Sequence, residues 1–375
     1  MKQFVKDNYK YIIFFLSFFF VNLLFLYRIH NNLNNDIFKL LFVILFIIGI
    51  IIFIINYKLK EKEIHNLFLV FSIIIGISYV IAIPIGVAPD EAAHFRRAYE
   101  ISDLHIVSDR DKDGTGGRIL PSTINDAFSF NVQEDKYSNL ANIIFKSKNS
   151  QDKDFQRFGN TSLYSPICYM PQVIGILVGK IFHLPIILII YLARIFNLAC
   201  FIAITYFSIK HIPLGKLTLS LILLSPISMQ AASSCQADAL TNAVAIGLLS
   251  FVLHKIKDKK RLDKKEMIIA SILAIVMSMC KIVYIPICLM LYLIPEKCFK
   301  NKKDKYIKIT LLAIFTILIN LIWLKISASY LVEFQEGVNS PEQIKYIIKA
   351  PLYYIAVLFN TYETNGMYYY LTSFG

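Results

Sequence analysis

The chain alternates between apolar runs about as long as a bilayer is thick and shorter polar connectors. Uninterrupted runs cover residues 11–27, 37–57, 67–87, 186–209 and 306–326. About 20 such residues suffice for a helix to cross a hydrocarbon core of roughly 30 Å. The run 163–182 is broken by Pro166, Pro171, Gly175 and Gly179, and the run 267–295 carries Lys281 in its middle. Residues 217–229 and 239–253 predict two more helices, separated by a small-residue break from Ala231 to Asp238. Residues 88–160 are polar throughout, and a loop of that length is uncommon unless functional, so short juxtamembrane helices are expected within it. The pattern predicts an all-α polytopic membrane protein.

Composition agrees. Of 375 residues 56% are hydrophobic and 14% aromatic, whereas a soluble domain is nearer 45–50% apolar. The first run follows Lys2, Lys6 and Lys10 but is long and lacks a small-residue cleavage site, so it reads as a retained helix rather than a signal peptide. A net charge of +13 in a soluble protein would point to nucleic acid. Here the lysines gather between apolar runs, as the positive-inside rule expects, and no phosphate loop, zinc-type spacing or RNA-binding signature accompanies them. Nucleic acid is therefore not an expected partner; the lipid bilayer is. The six cysteines lie in or beside apolar runs with no CxxC, which argues for small buried hydrophobes rather than a disulfide framework.

Charge also sets the expected topology. Lys58, Lys60 and Lys62, and the basic stretch 255–265, mark the inner side. Residues 67–87 then run outward, and the stretch Pro89-Asp90-Glu91-Ala92-Ala93-His94-Phe95-Arg96-Arg97-Ala98 emerges on the outer face. Placing Lys210 inside requires the broken run 163–182 to re-enter or lie at the interface; two full passes are the alternative, at the expense of the charge rule. Basic residues at both ends of 267–295 imply two short passes meeting near Lys281, on the same face as Asp90 and Asp238.

The stretch at 89–98 carries the candidate chemistry. Proline followed by two acids suits a helix start, and Asp90, His94 and Arg97 then share one face. Buried charges in membrane helices demand partners, so Arg194, Asp238 and Lys281 stand out as well. A carboxylate at that level suits proton removal from an attacking hydroxyl, and cations suit a departing phosphate. Residues 109–114 faintly resemble an acidic calcium loop, but Leu120 stands where the closing glutamate belongs, so no such site is expected.

The stretch Pro89 to Ala98 resembles the signature of the bacterial membrane family called domain-of-unknown-function family 2142. More distantly it resembles the GT-C superfamily of polyprenyl-phosphate-sugar glycosyltransferases. Tyr164-Ser165-Pro166-Ile167-Cys168-Tyr169-Met170-Pro171, Tyr191-Leu192-Ala193-Arg194-Ile195-Phe196-Asn197, Ser225-Pro226 with Asp238, and Pro341-Glu342-Gln343-Ile344 through Pro351 are similar to further family segments. The resemblance covers roughly residues 67–375.

It implies a GT-C-like helical bundle over 67–375, with a long first outer loop at 88–160, behind an N-terminal transmembrane helix pair at 1–66. It implies a bacterial cytoplasmic-membrane enzyme acting on the outer face, which moves a sugar from a polyprenyl-phosphate donor to an envelope polysaccharide or similar acceptor. Asp90 takes the role of general base, with Glu91 as the close alternative. His94, Arg97, Arg194, Asp238 and Lys281 are the expected substrate contacts. The second acidic site is a single Asp238 without a DxD, which leaves a divalent cation open. The expected later helices are missing after Leu371-Thr372-Ser373-Phe374-Gly375, so the chain reads as a truncated product. A transporter or lipid flippase, or a non-catalytic envelope-assembly protein, are the alternatives.

Overall fold

The structure, a computed structural model, describes residues 13, 16, 17, 19–24, 64–129, 152–330 and 339–363. The expected helix at 37–57 and the lysines at 58, 60 and 62 lie outside the described residues, as does about half of the one at 11–27. The chain divides into two units, Met1–Tyr330 and Leu331–Gly375.

Among the described residues four helices are long and apolar enough to cross a membrane: α1 (Ile64–Ala82), α6 (Ile186–His211), α9 (Asp238–Asp258) and α11 (Lys302–Ser327). Long-range contacts give their directions. Gly76 of α1 meets Leu198 of α6, the Ile83 carbonyl accepts from Arg194, and Tyr206 donates to Asn66, so α1 and α6 are antiparallel. Ser250 and His254 of α9 bond the carbonyls of Ser208 and His211, so α9 runs parallel to α6. The return path between them is α7 (Lys216–Leu223) and α8 (Pro226–Ala232). Pro226 breaks this crossing, as a ring without an N–H must.

The expectation of two short passes meeting at Lys281 matches the observed path. Helix α10 (Lys264–Cys280) starts beside α9's last turns, where Glu266 pairs with Lys255, and ends at Lys281 next to Asp238. The chain then returns as a 3₁₀ helix, Ile282–Leu293, to the level where the Cys298 carbonyl accepts from Leu262. Twelve residues at about 2.0 Å each cover about 24 Å, so the extended 3₁₀ geometry lets a short segment make the return. Helix α11 brings the chain back to the Asp238 end, where the Trp323 indole donates to the Leu163 carbonyl.

The polar stretch is not purely helical, which corrects the all-α expectation. After α2 (Glu91–Ser102) come the strands β1 (Asp109–Arg110), β2 (Gly116–Pro121) and β3 (Lys153–Arg157), an antiparallel sheet in the order β1-β2-β3. Helix α3 (Ser122–Phe128) and the short α4 (Gly159–Ser162) flank it. Ile119 and Leu120 alternate outward and inward, at 61% and 2% exposure, as a half-buried strand requires. The Tyr330 hydroxyl donates to the Ser108 carbonyl and Arg110 lies 5.0 Å over the Tyr330 ring, which moors the sheet to the end of α11.

The broken run 163–182 forms a 3₁₀ turn, Pro166–Tyr169, and helix α5 (Met170–Ile181). Helix α5 packs along only the N-terminal half of α6, with Gly175 against the Leu192 carbonyl, where a side chain would collide with backbone. Lys180 at its far end reaches Ser102 and Asp103 at the end of α2. This run therefore stays at the Asp90 end of the bundle rather than passing beside α1.

In the second unit, α12 (Ser340–Lys349) and α13 (Pro351–Thr361) follow one another with Ala350 between them, and the Tyr346 and Tyr353 rings meet edge to face at 6.0 Å across the junction. Asn339 caps α12 by accepting from the Glu342 N–H.

Candidate functional site

One end of the first unit collects the chemistry, and its frame is a buried ion pair. Glu91 and Arg194 are fully buried and joined at two points, Nε to Oε1 at 2.7 Å and Nη2 to Oε2 at 2.6 Å. Arg194 gives its other three protons to the carbonyls of Val80, Ile83 and Pro84. Glu91 also accepts from the backbone N–H groups of Gly86 and Cys235. The pair thus ties the frayed end of α1, the start of α2, the middle of α6 and the break before α9 into one joint. A buried charge pair is tolerated when its remaining hydrogen-bonding capacity is filled, as here.

The break itself is satisfied by two amides. Asn197 donates to the Ser234 carbonyl at 2.7 Å, and Gln172 donates to that of Gln236 at 3.0 Å. Gln236 in turn donates to the Pro89 carbonyl at 2.9 Å, so the break clasps the turn that precedes α2. Irregular backbone inside a membrane protein needs such partners.

Asp90 sits on this turn in the left-handed conformation, φ 55° and ψ 10°, where few residues other than glycine and Asn or Asp settle. Its carbonyl accepts from the His94 N–H, while its exposed side chain makes no capping bond. Among the described residues that carboxylate has no hydrogen-bond or ion-pair partner. Next to it, His94 Nδ1 lies 2.7 Å from the Tyr169 hydroxyl, and the Tyr164 ring stands edge-on at 5.7 Å. Burial holds the His94 imidazole below its ordinary value, against the pull of the Asp238 and Asp90 carboxylates, and Lys281 adds to the lowering. Burial raises the Tyr164 and Tyr169 phenols, so both remain protonated donors.

Asp238 and Lys281 pair at 2.6 Å, half-buried and open to the same space. Both act on the charge states of His94 and Tyr164, as does Asp90. The three segments expected to converge at one level do meet. Beside Lys281 an apolar cleft of about 280 Å³ opens between Tyr164, Met279, Val283, Trp323 and Leu324.

The residues singled out by sequence therefore fall into two groups. Asp90, His94, Asp238 and Lys281 come together with accessible polar atoms. Glu91 and Arg194 are sealed into the joint with no capacity left for a substrate. Arg97 is also buried: it bonds Glu100, Ser108 and the Ile106 carbonyl, and Glu100 binds Arg118 at 2.7 Å on its other oxygen. That cluster staples the outer loop to α2, and Arg97 also reaches the Tyr164 carbonyl at 3.5 Å. Arg96 likewise serves the fold, reaching Gln156 and Asn125. Tyr164, Tyr169 and Gln236 gain places at the site; the tyrosines stand in the proline-tyrosine segment, and Gln236 stands two positions before Asp238. Among the described residues no group of three or more His, Cys, Asp or Glu side chains is arranged to hold a metal ion.

The family model described as "Predicted membrane protein (DUF2142)" matches residues 71–375. No curated protein and no solved structure matches the chain significantly.

Proposed function

The chain belongs to the DUF2142 family of predicted membrane proteins, and from the site it carries we propose a membrane glycosyltransferase with Asp90 as general base. It moves a sugar from a polyprenyl-phosphate donor to an envelope polysaccharide or similar acceptor on the outer face of the bacterial cytoplasmic membrane. The observation that carries this reading is the Asp90 carboxylate: exposed, unpartnered among the described residues, and in a left-handed turn whose Pro89 carbonyl is clasped by Gln236. Unusual backbone held in place by its surroundings is a recurrent mark of functional positions.

In this reading Asp90 takes the proton of an acceptor hydroxyl as its oxygen bonds to the anomeric carbon. The bond from that carbon to the donor phosphate breaks, and polyprenyl phosphate leaves with the electron pair. Lys281 meets the charge that develops on the phosphate, and neutral His94 orients an oxygen by hydrogen bonding. Electrostatic groups set in advance where charge develops supply much of such a rate enhancement. Asp238 holds Lys281 in place. The apolar cleft beside Lys281 receives the first part of the lipid tail. The outer-face assignment is supported by the lysines of 255–265 and 297–303 at the opposite end of the bundle.

The test is donor turnover by the full chain in proteoliposomes, with a labelled polyprenyl-phosphate sugar and an acceptor glycan. Wild type consumes the donor and Asp90→Asn does not. Lipid movement without donor cleavage in wild type would replace this reading with a flippase.

A further inference from the structure

A second cavity lies at the opposite, basic end, far from Asp90. It is a groove of about 410 Å³ between α6 and α10, floored by α9. Gly247 makes the floor: a Cβ there would stand 3.1 Å from Leu273 and 3.5 Å from Ile204. The walls are Ile204, Phe207, Phe251, Ile269 and Leu273. Phe207 and Ile269 on its lips are 57% and 49% exposed, so the groove opens sideways, toward the hydrocarbon.

Its polar end differs in kind. His211 and His254 stand edge to face with ring centroids 5.9 Å apart. Each Nδ1 lies at a backbone carbonyl, of Phe207 and of His211, and so carries the proton. With Nδ1 donating, Nε2 of each ring is the atom left to meet a hydroxyl group. Around them the charge is cationic. Lys255 is paired with Glu266, Lys257 stands one turn beyond His254 on α9, and Lys216 reaches the carbonyl of Lys210, one residue before His211. Ammonium groups at both histidine-bearing helix ends suit an anion.

We infer that this groove holds one acyl chain of an anionic phospholipid with a hydroxylated headgroup, of the phosphatidylglycerol type, drawn from the leaflet at the basic end. The chain lies over Gly247. The phosphate meets the lysines of this basic end, Lys216 and Lys257 among them, and the headgroup hydroxyls donate to His211 and His254. The combination sets this groove apart from the lipid-facing surface of α11, where apolar side chains such as Leu321 and Ile322 stand exposed without a polar terminus beside them. The inference does not depend on the proposed transferase chemistry.

Native mass spectrometry of the full chain, released from nanodiscs of equimolar phosphatidylglycerol and phosphatidylcholine, tests it. Wild type retains one phosphatidylglycerol at about tenfold preference, a difference of about 1.4 kcal/mol. His211→Ala/His254→Ala, which removes only half-exposed side chains, brings that preference near unity. Gly247→Leu, which fills the floor, removes the retained lipid. Equal retention of the two lipids by wild type, or unchanged preference in the histidine variant, overturns the inference and leaves only annular lipid. If Gly247→Leu fails to fold, the histidine variant decides.

Discussion

Arg194 donates all five of its N–H groups, two of them to Glu91, which stands 103 positions earlier in the chain. Neighbouring Asp90 shares none of this. Adjacent positions at a helix start thus separate into a structural acid turned inward and a free acid turned outward. The separation follows from the left-handed turn at Asp90 and from the pull of Arg194 on the next residue.

This joint makes the first prediction. Glu91→Gln leaves a buried guanidinium uncompensated and should cost about 3–5 kcal/mol. Arg194→Met should cost as much, because it also strands three carbonyls. Replacing both, Glu91→Leu with Arg194→Met, should recover part of the loss. Thermal unfolding in detergent measures all three.

The Asp238–Lys281 pair should behave differently. It is half-exposed, and such pairs contribute roughly 0–1 kcal/mol to stability. Lys281→Ala should therefore leave the melting temperature nearly unchanged while donor turnover falls at least tenfold. A large drop in melting temperature would assign Lys281 to the fold instead.

His94 gives a dependence on pH. Burial keeps its folded-state value below the ordinary 6.5, so between those two values the unfolded chain binds more protons than the folded one. Stability contributed by neutral His94 is complete above the ordinary value and declines as pH falls toward the folded-state value. Unfolding measured from pH 8 down to 5 should show this decline in wild type and not in His94→Asn. Tyr169→Phe, which removes the hydrogen bond donated to neutral His94, should shrink the decline without reversing it.

Topology can be checked without any substrate. In spheroplasts, an impermeant thiol reagent should modify Lys112→Cys at once and Lys260→Cys only after permeabilisation. The opposite pattern would put the Asp90 end inside.

Much of this arrangement can be read from sequence, by combining apolar run lengths with the positions of lysines. That reasoning locates the meeting of Asp90, Asp238 and Lys281, because a charge amid apolar residues must turn up at a boundary or a partner. It also places run 163–182 at the Asp90 end. It does not reveal the small sheet, whose strands are too short, and β2 too glycine-rich at its start, to show an alternating pattern. Nor does it tell Glu91 from Asp90, or show that Arg97 is buried in a cluster of its own. Those outcomes depend on partners as distant as Arg194 and Cys235, and on Glu100 and Ser108 closing around Arg97. Helical spacing gives the face a side chain occupies and is silent on what stands opposite.

The central claim is that Asp90, and not Glu91, removes a proton during sugar transfer. The direct test is single-turnover donor cleavage in proteoliposomes by wild type, Asp90→Asn and Asp90→Glu, each first shown to melt normally. Loss of a general base predicts a fall of about 10²–10⁴-fold for Asp90→Asn, with partial recovery in Asp90→Glu. Cleavage by Asp90→Asn at the wild-type rate would contradict it.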